Sequence, residues 1–427
     1  MAGRHRKRRN RNLSFATRHQ RRVPVRLIAF VAGVIVLLAA VVAVRAVTSP
    51  VPRLVVARAL PASVRFPGPP PAPVWPKSGE AAAEVEGLGT LGSSGPQTPV
   101  PIASVAKIMT AYVTLQDHPV KAGTNGFDVT VSAAEVADLQ QRSRAGQLVV
   151  PVAAGEVLNE VQLLEGLLVA SGNNVAPILA DYDAGSQAAF VTRMNQAAQR
   201  LGMSRTTYAD ASGISAATRS TAGDQLRLAA AAMGDPTFAR IVQMTAVTLP
   251  VAGKLVNFNR AVGTGGYVGV KTGSGPQAGG CLVFANRQSV DGRSFTILGV
   301  VLGQDPGYLS TPVLDAAARQ AADTIVASVK ASVRSVTVVP AGTTVATVTS
   351  RQGRRTRAVT TTGITAVGWG GLALPVSVSV TGVGHSLRAG VPVATVKVPS
   401  GSPDQVDATS SDAVPPVSFW WRVGHVL

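Results

Sequence analysis

Eighteen consecutive uncharged apolar residues, Leu27 to Val44 (LIAFVAGVIVLLAAVVAV), set the first constraint on this chain. At about 1.5 Å per residue a helix of that length reaches ~27 Å, close to the hydrocarbon thickness of a bilayer. Ten basic residues and no acid precede it: Arg4, Arg6, Lys7, Arg8, Arg9, Arg11, Arg18, Arg21, Arg22 and Arg26. A buried core helix needs no such flank. A cleavable signal peptide has an apolar region of only about 7–15 residues and a small-x-small site. Here the run is longer and Arg45 follows it. The reading is an uncleaved signal anchor over residues 27–47. By the positive-inside rule, residues 1–26 form a basic cytoplasmic tail and the rest of the chain is extracytoplasmic. The formal charge of +18 is therefore largely a membrane flank, and it implies no nucleic-acid partner.

After the anchor, residues 48–78 hold Pro50, Pro52, Pro61, Pro67, Pro69, Pro70, Pro71, Pro73 and Pro76, which suits an extended linker off the membrane. Patterned sequence begins near Gly79. Ile102 to Leu115 is apolar on nearly every side, as a central helix buried all round would be, with Pro101 at its start. Further helices are expected over Glu156–Val169, after Ser186 as a cap, and over Gln225–Met233 behind Thr221 and Asp224. Tyr267–Thr272, Cys281–Arg287 and Phe295–Gly303 read as strands, the last two joined by an Asp291-Gly292 turn. Helix returns at Leu314–Val333. Beyond Ser335 the chain is rich in Val and Thr, and residues 335–400 read as a small all-β domain, with 401–427 as a tail. Cys281 is the only cysteine, so no disulfide forms within the chain.

Within residues 79–333, three short motifs occur in order: Ser104-Val105-Ala106-Lys107, Ser171-Gly172-Asn173 and Lys271-Thr272-Gly273. Ser104 and Lys107, three apart, share one helix face. A serine hydroxyl attacks only when a base takes its proton, and a lysine serves when burial or a second cation pushes its pKa down. Lys271 is placed to be that cation. Ser171 is a proton relay to a leaving amine, and Asn173 a hydrogen-bond partner for a substrate amide. Lys271 and Thr272 lie on a strand able to hold an extended peptide and its carboxylate. The backbone amides of Ser104 and of the residue after Gly273, Ser274, suit an oxyanion hole. A Ser-His-Asp triad is unavailable, because His118 is the only histidine between residues 79 and 333. The histidines show no metal-ligand spacing, so no metal is expected, and the serine chemistry needs no cofactor. Glu165 reads as an ordinary helix residue and Cys281 as an inert core thiol.

These segments resemble the low-molecular-mass penicillin-binding proteins, the D-alanyl-D-alanine carboxypeptidases of serine peptidase family S11. The resemblance lies in Pro101 to Ala111, in Leu163 to Asn174, in Met194 to Gly213 with Asp210-Ala211-Ser212-Gly213, and in Gly269 to Ser274 followed by Ala278-Gly279-Gly280-Cys281. It covers roughly residues 79–333 and, more weakly, 335–400. It implies an α/β fold of the penicillin-binding and serine β-lactamase type: a sheet flanked by helices plus an all-helical lobe, followed by a small all-β C-terminal domain. It implies a Ser104 acyl-enzyme formed from peptidoglycan stem peptides ending in D-Ala-D-Ala, and acylation of the same serine by β-lactams. By position, Lys107 is the general base, Ser171 and Asn173 the second motif, and Lys271, Thr272, Gly273 and Ser274 the substrate strand. Some members carry an arginine beyond the following strand, where this chain reads Gly303-Gln304-Asp305-Pro306-Gly307-Tyr308. Alternatives are a D,D-endopeptidase using the same residues, or a non-catalytic peptidoglycan-binding protein of the same fold. A class A β-lactamase would need a Glu-x-x-x-Asn segment, and none follows Ser171.

Overall fold

The computed structural model describes residues 24–425 apart from 306, 308, 309 and 400, so most of the expected basic tail lies outside the described residues. Val25–Thr48 is one continuous 24-residue helix, long and apolar enough to cross a membrane.

The region expected to be catalytic is built on a five-stranded antiparallel sheet. Its strand order is Tyr267–Gly275, Gly279–Val290, Arg293–Gln304, Glu80–Val85, Gly89–Ser94. Both faces are covered, so its inner strands are apolar on both sides. Along Gly279–Val290 the alternation sends Cys281, Val283 and Ala285 into the core beneath the helical lobe. Leu282 and Phe284 point the other way, against Ile325 and Val329 of the long helix Thr311–Ser332. Asp291 and Gly292 both take positive φ in the tight turn that joins the two longest strands.

The central helix begins later than its apolar pattern suggests. Ala103–Ala106 is a 3-10 turn and the α-helix proper is Lys107–Asp117. Ala103 takes a positive φ of 45°, and Pro101 sits on a short strand paired with Arg219–Ser220 instead of opening the helix. The second helix is Glu160–Leu168, because Asn159 and Gln162 form a reciprocal capping box that fixes its start. Ser186 caps Gln187–Arg200, and Thr221 caps Ala222–Met233 through the Asp224 N–H. Four helices had no expectation attached: Ala133–Arg144, Val175–Ala184, Pro236–Val242 and Phe419–Gly424.

The segment expected as a linker is not a free spacer. Val55–Arg58 pairs with Thr344–Thr349 at the edge of a six-stranded C-terminal sheet, and Ser63–Arg65 pairs with Ala373–Pro375. Leu54, Leu60 and Phe66 are buried in that module's core. The expected tail contributes too: Gln405–Ser410 is an inner strand of the same sheet, between Arg355–Thr360 and Pro392–Lys397. The chain thus enters the β module first, leaves it to build the catalytic region, and returns. Proline only limited these strands to short edge segments.

Candidate active site

Ser104 lies in the 3-10 turn, and Lys107 opens the helix that follows it. The Lys107 side chain is fully buried. Its Nζ lies 2.7 Å from Ser104 Oγ, 2.6 Å from Asn173 Oδ1 and 3.0 Å from the Ser212 carbonyl oxygen. Asn173 and Ser212 offer acceptors only. In a neutral amine they take both N–H groups, and the lone pair is left for the Ser104 hydroxyl proton. Burial, reinforced by the Lys271 charge, holds Lys107 well below the ordinary lysine range. The arrangement favours a base on the nucleophile before any substrate arrives.

Lys271 is buried on the edge strand Tyr267–Gly275. Its Nζ donates to Ser171 Oγ at 3.0 Å and to the Thr272 carbonyl at 3.1 Å. Burial lowers its pKa to about 7, against the opposing pull of the Asp315 carboxylate. The two lysines and two serines therefore form two adjoining pairs, linked electrostatically between Lys107 and Lys271. Ser171 takes a positive φ of 60° in the loop between two helices. Asn173 contributes its Oδ1 to Lys107, while its Nδ2 donates to Gln147 Oε1 at 3.3 Å. In this ligand-free arrangement it is a positioning group for the base.

Gly273 explains how the strand comes so close to the serine turn. A Cβ there would lie 2.8 Å from the Ile102 carbonyl oxygen and 3.1 Å from the Ser104 nitrogen. Because the strand ends the sheet, its outer row of backbone groups faces this turn with no neighbouring strand.

Sequence reasoning gave Asp210 no role, yet it organises the far wall. Its carboxylate accepts from the backbone of Ser212, Gly213, Ile214 and Ser215 and from the Ser212 and Thr218 hydroxyls. Burial alone would raise its pKa, but these hydrogen bonds hold it below the usual carboxylate range. The loop so fixed presents the Ser212 carbonyl to Lys107, and Gly213 packs where a Cβ would meet the Ala103 carbonyl at 1.9 Å. The available signal was an Asp followed by Ser and Gly, a turn-forming composition.

On the other side of the strand, a cleft of about 410 Å³ is bordered by Thr272, Asn259, Arg260, Asp315 and Arg319. Three buried polar atoms in it, Thr272 Oγ1, Asn259 Nδ2 and Asp315 Oδ1, have no hydrogen-bond partner among the described residues. Buried polar atoms are ordinarily paired, so these three are available to hydrogen-bond a bound group. Ser274 lies on the same strand, one residue beyond Gly273. Cys281 is buried, and burial pushes its thiol up to about 12. Glu165 is half-buried on its helix and His118 packs against Phe127 and Tyr182; neither is bonded to the serine or the lysines.

A family model described as D-alanyl-D-alanine carboxypeptidase matches residues 89–305. The chain is 34% identical over 230 residues to a D-alanyl-D-alanine carboxypeptidase of Streptomyces sp., covering 50% of this chain and 76% of the relative. It is 32% identical over 160 residues to a D-alanyl-D-alanine endopeptidase of Pseudomonas aeruginosa, covering 37% of this chain and 48% of that one. The crystal structure of a Streptomyces DD-transpeptidase superposes with a TM-score of 0.50 at 27% identity, over 64% of this chain and 99% of the other. A D-alanyl-D-alanine carboxypeptidase from Francisella tularensis shares the fold over 81% of this chain and 96% of its own, with a TM-score of 0.53 at 18% identity.

Proposed function

The chain belongs to the D-alanyl-D-alanine carboxypeptidase family of serine peptidases, and from that premise we propose that it trims the terminal D-Ala from peptidoglycan stem peptides through an acyl-enzyme on Ser104. The observation that carries this reading is the Lys107 Nζ, buried, depressed in pKa and 2.7 Å from Ser104 Oγ.

The peptide lies extended along the outer edge of Tyr267–Gly275. Its terminal carboxylate goes to Lys271 and Thr272, the second of which borders the cleft that also holds Arg260. Lys107 Nζ takes the Ser104 hydroxyl proton as Oγ attacks the carbonyl carbon of the penultimate D-Ala. The oxyanion is held by the backbone N–H groups of Ser104 and Ser274, donors fixed before reaction. As the tetrahedral centre collapses, Ser171 Oγ gives its proton to the departing D-Ala nitrogen, and the proton that Lys107 took from Ser104 passes back to Ser171, so that Lys107 is neutral again and Lys271 keeps its charge. Water then attacks the ester with Lys107 again as base, and the shortened peptide leaves. A β-lactam enters by the same attack and remains on Ser104, since its ring-opened fragment stays tethered and hinders the water.

The helix Val25–Thr48 supplies the membrane anchor, with the ten-cation flank cytoplasmic and the catalytic region outside. Similarity to endopeptidases favours a second reading, cleavage of cross-links by the same residues. Labelling of the full chain with a fluorescent penicillin, read by intact mass beside Ser104→Ala, tests the nucleophile: one stable adduct on wild type alone supports it, and no adduct on folded wild type sinks it. D-Ala release from a pentapeptide, measured against cleavage of a cross-linked dimer, decides between the two activities.

A further inference from the structure

Where the apolar helix ends, three separate stretches of chain meet. The short C-terminal helix Phe419–Gly424 packs against it, and Arg422 Nη2 donates to the carbonyls of Val47 at 2.9 Å and Ser49 at 2.6 Å. The turn between strands Thr344–Thr349 and Arg355–Thr360 comes alongside, with Gln352 Nε2 donating to Ser418 Oγ at 3.3 Å. Between them is a cavity of about 810 Å³ lined by Arg45, Ser49, Arg351, Trp421, Arg422 and His425.

Three guanidinium groups border this one space. Among the described residues no Asp or Glu lines it, and none forms a salt bridge with Arg45, Arg351 or Arg422. Four arginines on the catalytic region do pair with carboxylates: Arg142 with Asp138, Arg193 with Asp117 and Asp183, Arg227 with Asp224, and Arg319 with Asp323. Arg53, Arg354 and Arg355 extend the basic surface and are exposed. Converging like charges are unfavourable until an anion joins them, and planar guanidinium forks match phosphate oxygens. The depth is also informative. Leu27 to Val44 fills ~27 Å of hydrocarbon, so the next residue, Arg45, emerges at the level of lipid headgroups. Trp420 is 77% exposed and Phe419 43%, an unusual display for a soluble surface but the expected composition of an interfacial belt.

We propose that this cavity is a phospholipid headgroup site: the phosphate of an anionic lipid in the outer leaflet sits between Arg45 and Arg351, with Trp420 and Phe419 set in the interface beside it. The lipid closes a clamp between the anchor helix and the β module, so the module lies against the membrane and holds the catalytic region at a fixed height above it. This rests on the reading of Val25–Thr48 as a membrane anchor.

The test uses the full chain in detergent, titrated with phosphatidylglycerol or phosphatidylcholine and followed by native mass spectrometry. Wild type retains phosphatidylglycerol in preference. Arg45→Gln combined with Arg351→Gln weakens that retention roughly 25-fold, at about fivefold per cation. A control pair on the helical lobe, Arg144→Gln with Arg200→Gln, leaves it unchanged. Neither Arg45 nor Arg351 makes a side-chain hydrogen bond among the described residues, so an unchanged thermal midpoint shows that the variant folds. Equal retention by wild type and the double variant overturns the proposal. Displacement of the lipid by millimolar inorganic phosphate assigns the site to a soluble anion and overturns it as well. Carbonate extraction of native membranes tests the anchor separately: a chain that washes off fails both readings, and one that stays embedded without headgroup preference fails only this one.

Discussion

The catalytic region and the C-terminal β module bury different chemistry. The buried side chains of the first include Glu80, Lys107, Glu160, Asp224 and Lys271, with several asparagines. Those of the module are Val, Ala, Leu, Ile and Phe, with hydroxyls alone among its buried polar groups, Ser350, Thr356, Thr360 and Ser410. Burying an ammonium without a full set of partners is costly. The module carries no such burden and is held by sheet hydrogen bonds and apolar packing. The catalytic region accepts it at Lys107 and Lys271; at Lys107 the depressed pKa is what the proposed serine activation requires. The contrast separates a part shaped by reactivity from a part shaped by packing.

The sharpest break of that contrast is at the nucleophile. Ser104→Ala abolishes penicillin acylation, and Lys107→Gln slows it by about 10³-fold, the range expected for loss of a positioned base. Both leave module unfolding where it was, by circular dichroism melts. A Lys107→Gln protein acylating at the wild-type rate would remove Lys107 from the chemistry. A smaller loss follows from Gly273→Ala. Its methyl group would press on Ile102 O and Ser104 N, moving the substrate strand off the serine turn. Acylation then falls about 10²-fold with fold retained, since displacement near 1 Å has that cost. Unchanged kinetics would mean that the turn yields without losing alignment.

What was legible in the sequence follows the same division. The family, the two-part α and β organisation and the three motifs could be read because spacing and residue type report local geometry. Ser104 and Lys107 sit one turn apart, so their contact was foreseeable. Contacts of Lys107 with Asn173 and Ser212, and the Asp210 loop behind them, join residues far apart in the chain, and periodicity does not encode such distances. In the module the error came from composition. Proline suggested a spacer before Gly79, although Leu54, Val56, Leu60 and Phe66 already formed an apolar series that needed a core. Likewise Gln405–Ser410 alternates Val406 and Ala408 inward, a strand pattern masked by its Asp and Ser.

In the catalytic half, pH acts on the site through its two lysines. As the proposed base, Lys107 acts in its neutral form, so kcat/KM falls on the acid side as it gains a proton below its depressed pKa. In the proposed substrate role Lys271 holds a carboxylate only while charged, so KM for a peptide rises roughly tenfold per pH unit above about 7. An ester substrate without a terminal carboxylate should lose that alkaline limb. A limb near pH 10 for the peptide instead would show that bound carboxylate restores the ordinary lysine range. For stability the sign is opposite to a salt-bridged lysine. Between about 7 and ~10.4 the unfolded chain holds a proton on Lys271 that the folded chain has released, so stability rises with pH across that window.

The smallest effect on acylation is expected from the largest change in the module. Phe66 is 2% exposed, lies in the module core, and comes from the segment that precedes the catalytic region. Phe66→Ala should destabilise the module by about 3–5 kcal/mol, a typical cost for removing a buried aromatic ring. Acylation of Ser104 at 25 °C should not change, because no site residue touches that core. There is one route by which the separation could fail. Val367 and Trp369 of the module belong to the apolar layer beneath the catalytic sheet, alongside Leu282 and Ile325. If loosening Phe66 disturbs that layer, the strand bearing Lys271 shifts with it, since Leu282 pairs with Thr272. A two-step melt with unchanged acylation would establish independent units. A single cooperative melt with slower acylation would show that the β module braces the substrate strand from below.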